Sequence, residues 1–458
     1  MKFIEKEKIM VCKQKSSSRT SHNVYYATLS ASSRAKSLAV LALAFLLTAG
    51  SLSAADFFKN NVFSDLPKDK LYPQGQIFPI TGYSPPSVEG MKELGFTATG
   101  PTYGKSQGKL AKASAREGLK NVWQLHVEYD GMLITGKPSL AKAAKAAGKK
   151  GIDWVKMGKC VENTVKKIVA VHGDTVAWWA LGMEEVRWWN KNEMKYCQVA
   201  YDAIKRADPE KRPVWIYMPG HYGYGGMRSY MKFMDMLGQG YYPNFGNRVG
   251  YRYWCENVQK TVEGFEPERP MLAVTEMFRE PKTEEDRSLI SNFVRHDIWM
   301  AIIHKFKGIV IFSLANRGGF DSHGDYFFAY CENANLLTHK GLGNVALFGE
   351  DMKDLSLEIT EGSQTVSIQR KQGKPAKQVT FTYPTLKWRD LRHNSGRYLF
   401  AASSSKEPVK ATLKGLPAQK VQVIDMFTGK VLGTTDNGTF ALEFGPWGVN
   451  LLKFVPAK

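Results

Sequence analysis

Between residues 75 and 340, short apolar runs that end in Gly, polar or aromatic residues alternate with longer amphipathic stretches. The runs read as strands: Gly75–Tyr83, Gly95–Tyr103, Asn121–Tyr129, Thr175–Glu185, Arg212–His221, Phe233–Pro243, Arg269–Phe278 and Gly308–Gly319. The stretches between them carry apolar residues at helical spacing. They predict a short helix at Ser87–Leu94 and longer ones at Gly108–Leu119, Asp153–Gly173, Met194–Pro209, Tyr253–Phe265 and Glu284–Phe306, with Asp208-Pro209 as a stop signal. Eight strands alternating with helices over roughly 265 residues fit a (β/α)8 TIM barrel. A doubly wound open sheet is the alternative α/β arrangement, but no G-x-G-x-x-G follows the first strand.

After Asp351 the pattern changes to short runs of period-two alternation broken by Gly or Asn turns. This predicts a C-terminal all-β sandwich domain over 351–458 behind a barrel domain over 56–345. The first 55 residues read differently again. Arg34 and Lys36 precede the apolar run Leu38–Leu47, and small residues at Ser53 and Ala55 stand before Asp56. This is the order of a secretory signal peptide, here behind a long N-terminal extension that makes Met10 an alternative start. The run is short for a permanent bilayer span. The expected product is exported, to the periplasm, cell surface or medium, with no stable membrane span after cleavage.

The formal net charge is +20. Residues 1–55 hold eight of the 63 basic and two of the 43 acidic residues, so the remainder keeps an excess of fourteen positive charges. Such an excess favours polyanions through long-range attraction, although part of it lies in the Lys-rich helix face Ala141–Gly151. The five cysteines show no C-x-x-C spacing and there is no H-E-x-x-H, so neither a metal nor another cofactor is expected.

The candidate chemistry sits at the strand ends, which in such a barrel form the mouth. The stretch "WWALGMEEVRWW" (Trp178–Trp189) ends the fourth strand in Glu184 and Glu185 between two Trp pairs; only one of the adjacent acids readily enters the mouth. The seventh strand ends in Glu276. Glycosidic cleavage needs two carboxylates, one to protonate the leaving oxygen and one to attack or to activate water. Aromatic walls suit the C–H faces of sugars. Candidate substrate contacts are His126, Trp188, Trp189, His221, Tyr222, Tyr241, Tyr242, Asn316 and Arg317. Glu185 is also a candidate partner for Arg187, Arg279 for Glu276, and His296 and His304 read as scaffold residues of a helix.

In these residues the chain resembles the clan of retaining (β/α)8 glycoside hydrolases whose acid/base Glu ends strand four and whose nucleophile Glu ends strand seven. The clan's W-x-L-G-Asn-Glu pattern compares with "WALGMEE" (Trp179–Glu185), with Met183 in the place of the Asn. The resemblance implies Glu184 as acid/base, Glu276 as an ionised nucleophile, and a strand-six Tyr, Tyr241 or Tyr242, touching that nucleophile. The Trp often found at the end of strand eight is absent from "VIFSLANRGG". The expected partner is a carbohydrate, with an anionic polysaccharide favoured by the charge, and not nucleic acid. The alternatives are a non-catalytic carbohydrate-binding protein with a degenerate barrel, and a polysaccharide lyase using Tyr241 or His221 with Arg317. Mass spectrometry of the product secreted by an expressing host is expected to place the mature N-terminus just after Ala55. A product beginning upstream of Leu38 would contradict the export reading.

Overall fold

The computed structural model describes residues 78–457, apart from 103–105, 185, 220–223, 266–268, 315–319, 374 and 395. The export segment, His221, Tyr222, Asn316, Arg317 and Glu185 thus lie outside the described residues. Eight parallel strands form the barrel: β1 (Ile80–Gly82), β2 (Ala98–Thr99), β3 (Lys120–Leu125), β4 (Val176–Leu181), β5 (Val214–Pro219), β6 (Met236–Gly240), β7 (Met271–Glu276) and β8 (Gly308–Phe312). From β2 to β8 each pairs with its sequence neighbours, and β8 pairs with β1. The ring closes between β1 and β2 through backbone bonds from Thr97 N to Ile80 O (3.1 Å) and Gly100 N to Gly82 O (3.1 Å).

The strands have two buried faces, which is why they read as continuous apolar runs. Along β7, Leu272 and Val274 join the barrel interior with Trp178, Trp215, Met236 and Val310. Met271 and Ala273 face the helices. The interior is filled by β4 and β5 indoles, and β6 makes room for them. A Cβ on Gly238 would come within 2.1 Å of Trp215 Nε1, so a glycine is needed there.

The surrounding helices are α1 (Gln107–Arg116), α2 (Lys137–Ala146), α3 (Trp154–His172), α4 (Lys191–Ala207), α5 (Tyr224–Met231), α6 (Val249–Val262), α7 (Glu284–Ile303), α8 (Phe320–Leu337) and α9 (Leu342–Phe348). In α3 the buried Met157, Val161 and Val165 recur at helical spacing, and Asp153 caps its start by accepting from Lys156 N. Thr283 caps α7 likewise, with Glu284, Glu285 and Asp286 in the first turn against the positive helix end.

Three expectations change. Residues 89–95 form turns, not a helix, since Gly90 takes a φ of 72°. The third strand stops at Leu125, and Val127–Tyr129 instead pairs with Met132–Ile134 as a hairpin around Asp130-Gly131, both at positive φ. Helices α8 and α9 follow the last barrel strand, where none was anticipated. The four described cysteines, Cys160, Cys197, Cys255 and Cys331, are free thiols.

Beyond the barrel, antiparallel strands form two packed sheets. One runs in the order β9 (Glu350–Met352), β13 (Leu386–His393), β14 (Gly396–Ser403), β19 (Val449–Pro456), β16 (Val421–Asp425), β17 (Val431–Thr435). The other contains β10 (Ser356–Glu361), β15 (Val409–Lys414) and β18 (Thr439–Phe444), and β11 (Thr365–Gln372) with β12 (Lys377–Pro384) forms a separate hairpin. Leu399 and Ala401 of β14 join the core between the sheets. Phe400 and Ala402, of opposite parity, join the core of barrel and helices. Phe400 meets Trp299 of α7 edge-on at 5.0 Å.

The helix stop at Asp208 proves structural as well as local. Its carboxylate is fully buried, accepts from Trp179 Nε1 (2.8 Å) on β4 and pairs with the buried Arg212. Asp208→Ala is expected to lower the unfolding free energy by about 3–5 kcal/mol, because it strands a buried guanidinium. Denaturant titration checks this; a loss under about 1 kcal/mol would mean that Glu210, 2.8 Å from Arg212 Nη2, carries the charge alone.

Candidate active site

Strand parity decides which side chains reach the mouth. Glu276 follows Leu272 and Val274 at the inward parity of β7, and only 4% of it is exposed. On β4, Trp178 and Ala180 point inward while Trp179 and Leu181 face the helices. Past the strand end, Met183 is buried among the outward residues, and Glu184, half-buried, comes next. Its charge acts on the phenol of Tyr242.

A wall of rings surrounds that point. Tyr242 shares a hydrogen bond with Tyr217 of β5 (2.9 Å between hydroxyl oxygens). It stacks on Phe312 (6.0 Å) and meets Phe278 edge-on (5.2 Å). Tyr83 completes the wall against Phe312 and Trp215. Gly240, inward on β6, leaves space for these phenols, since a Cβ there would lie 2.7 Å from the Tyr242 hydroxyl. Burial holds the Tyr242 phenol protonated, far above its ordinary value, and Tyr217, Tyr83 and Glu184 push the same way.

Next to the wall, with Phe312 in register beside it, Glu276 is held by the loop before α6. The amide of Asn244 donates to its Oε2 (3.0 Å), and Arg248 Nη2 lies 3.6 Å from its Oε1. Arg248 is fully buried, donates to the Asn244 (2.5 Å) and Gly246 (2.9 Å) carbonyls, covers the Phe293 ring and approaches Asp297 at 3.5 Å. Tyr330 donates to the carbonyl oxygen of Glu276 itself (2.8 Å), fixing the strand end. Burial pushes the Glu276 carboxyl up to about 8; Asp297 adds to this, while Arg248 and the Asn244 amide oppose it. With two acids sharing one guanidinium in a dry site, a proton on Glu276 leaves Asp297 and Arg248 balanced. Burial thus favours the protonated form of Glu276, against the ionised form that the resemblance implies.

The other predicted residues divide. His126 follows β3 at the inward parity set by Val122, half-buried, and burial holds its imidazole below the usual value. Tyr242 faces the mouth, but Tyr241 does not: it packs outward on Trp254 and Tyr251 and meets Arg370 of the β11–β12 hairpin. Nor does the strand-six tyrosine touch Glu276 by a hydrogen bond; Tyr217 takes its hydroxyl, and the Asn244 amide and Arg248 serve the carboxylate. Trp188 and Trp189 form an edge-to-face pair at 5.5 Å, exposed by 50% and 57%, with Trp188 resting on the backbone at Gly226. Both therefore lie at the surface and not in a buried wall. Arg187 pairs with Glu193, whose carboxylate also accepts from the Arg187 amide. His296 bonds Asp297 (2.9 Å) and His304 bonds Gln259 (2.8 Å), both inside the helix layer. Tyr83, Tyr217, Asn244, Arg248 and Asp297 carried no motif; only the position of Tyr83 and Tyr217 at inward strand ends could have marked them. Among the described residues no three His, Cys, Asp or Glu side chains gather to hold a metal, and no helix is long and apolar enough to cross a membrane.

No family model matches the chain, and no curated protein matches it. Among solved structures it is similar to a variant of a GH27 β-L-arabinopyranosidase from Geobacillus stearothermophilus in complex with arabinose, at 10% identity and a TM-score of 0.50 over 85% of this chain and 99% of that one. It is similar also to an α-amylase from Geobacillus thermoleovorans complexed with acarbose, at 12% identity and a TM-score of 0.51 over 84% of this chain and 100% of the other. At these identities the likeness is one of fold, and function rests on the site.

The Glu276 environment has a measurable consequence. Between the ordinary carboxylate value of 4.5 and about 8 the folded chain keeps a proton that the unfolded chain releases. This contribution favours the native state in acid and is lost as pH rises through that window. Glu276→Gln keeps the shape without the charge, so its melting temperature relative to the native protein is expected to climb across the window and level off above it. A pH-independent difference would contradict the protonated assignment.

Proposed function

We propose that the chain is an exported glycoside hydrolase that cleaves oligo- or polysaccharides at the barrel mouth by a two-carboxylate, retaining mechanism. The observation that carries the reading is Glu276, a buried acid at the inward end of β7, held by an amide and a guanidinium next to Phe312 of the aromatic wall, with Glu184 acting electrostatically on Tyr242 of that wall. Sugar-binding structures of the same fold add support, arabinose in one and acarbose in the other. Export rests on the Leu38–Leu47 run and its flanks.

In this reading Glu276 attacks the anomeric carbon and Glu184 protonates the leaving oxygen, then activates the water that releases the glycosyl group. The proton on Glu276 is no obstacle. An oxocarbenium-like centre brings positive charge beside Glu276 and Asp297. That charge does for the pair what a proton otherwise does, so the carboxylate is stabilised where and when it must react. Tyr217, Tyr242 and Phe312 offer ring faces to the sugar. The raised Glu276 also favours a second reading in which the roles are exchanged, with Glu276 as proton donor and Glu184 as nucleophile.

Aryl glycosides separate the two. In the first reading Glu276→Gln abolishes turnover, while Glu184→Gln slows poor leaving groups by about 10²–10⁴-fold, the usual worth of a general acid, and spares good ones in the first step. The exchanged roles reverse this pattern. Retention of anomeric configuration, read by NMR of the first-formed product, completes the test. Binding of sugars without turnover in any aryl glycoside would leave a carbohydrate-binding protein.

A further inference from the structure

Arg252, Glu256 and Lys260 follow one another at intervals of four along α6 and so share one helix face. That face meets the C-terminal strands across a cleft of about 510 Å³, whose far wall carries Phe381, Tyr383, Lys387 and Trp388. A second cleft of about 330 Å³ shares Lys387 and Trp388, so the two lie side by side along the same strand. None of these lining residues comes from the end of a barrel strand.

The cleft is cationic beyond what its own acid offsets. Glu256 is 3.1 Å from Lys260 and is the only acid lining the first cleft. Lys387, half-buried, makes no ion pair or hydrogen bond among the described residues. Arg252 is 2% exposed; it donates from Nη1 to the Pro384 carbonyl and covers the Tyr383 ring at 5.2 Å. Its Nε is buried with no hydrogen-bond partner. Burial, then Arg252 and Lys260, holds the Lys387 ammonium below its usual value, and only Glu256 works against them. On the neighbouring face His304 is held well below its ordinary value by burial and by Lys387, Arg252 and Lys260, and so adds no charge. An unneutralised pair of cations in a partly dry cleft is an anion site. The rings beside it supply the flat apolar faces that sugars stack on.

We propose that this cleft is a second binding site for an anionic glycan, taking a sulfate or carboxylate substituent on Lys387, in the field of the buried Arg252, with the sugar face on Tyr383 or Trp388. The site stands apart from the catalytic reading, because none of its residues belongs to the barrel mouth.

Affinity electrophoresis of the full chain tests it, in native gels containing dextran sulfate, unsulfated dextran or a single-stranded DNA oligonucleotide. Dextran sulfate is expected to retard the protein and dextran is not. Lys260→Gln/Lys387→Gln should weaken the retardation by about tenfold or more, as for loss of charge-assisted contacts. Lys142→Gln/Lys166→Gln, which removes the same charge from the exposed faces of α2 and α3, should change it by less than about twofold. Lys387→Gln alone, with an unchanged circular dichroism spectrum, guards against a folding defect. Equal losses in both double variants, unchanged retardation in Lys260→Gln/Lys387→Gln, or equal retardation by unsulfated dextran would overturn the proposal. An equal, Lys387-dependent retardation by DNA would overturn its assignment to a glycan.

Discussion

A carboxylate that is 4% exposed must be held by something, and in this molecule the holding organises three elements. Glu276 draws the Asn244 amide from the loop after β6, Arg248 from the start of α6, and, through Arg248, Asp297 from the middle of α7. The same guanidinium clamps the loop by binding its carbonyls at Asn244 and Gly246. The loop cannot move without uncovering a buried cation, and the cation cannot leave without stranding two acids. The charge cluster thus fixes the geometry of the mouth while Arg248 stays 3.6 Å from Glu276 rather than in a tight pair. A tight pair would make a stable but inert carboxylate.

The barrel interior explains why the acid is placed at the end of β7 and nowhere deeper. Below the mouth the axis is filled by Trp178 and Trp215 with Leu272, Val274 and Val310, a dry layer in which an ionised group would have no partner. Gly238 and Gly240 let the β5 aromatics lean across β6, so that Trp215 seals the floor and Tyr217 reaches Tyr242 above it. Floor and wall are therefore products of one alternation, large residues on β5 against glycines on β6.

This division also explains what could be read from the chain. Eight strands buried on both faces stand out as apolar runs, and the end of "MLAVTE" marks Glu276 by parity alone. Parity fails where a strand stops. β6 ends at Gly240, so "YY" gives no sign that Tyr242 turns in and Tyr241 turns out to meet Arg370, 129 residues later. The hairpin at Asp130-Gly131 carried a legible turn signal inside what looked like one strand. Arg248 carried none. Its partners lie 28 and 49 positions away, and an arginine before a helix ordinarily reads as solvated. The protonation of Glu276 is illegible for the same reason, since it depends on burial and on Asp297, neither of which a strand-end motif encodes.

The C-terminal sheets enter this account through α7. Its residues face three ways: Trp299 packs on Phe400 of β14, Phe293 packs on Trp447 (5.0 Å) in the turn before β19, and Asp297 turns to Arg248. Asn292 further donates to the carbonyl of Pro446 (3.2 Å). Phe293 is at once the ring beneath the Arg248 guanidinium, 3.6 Å from its centre, and the ring against Trp447. A path of direct contacts therefore runs from the sheet through Trp447 and Phe293 to Arg248 and on to Glu276. Each contact along it is buried and close-packed, so a shift of the sheet by a fraction of an ångström must be taken up by the next side chain rather than by solvent. The β-sheets follow the barrel in sequence, yet in the fold they form the backing against which its most demanding charge is set.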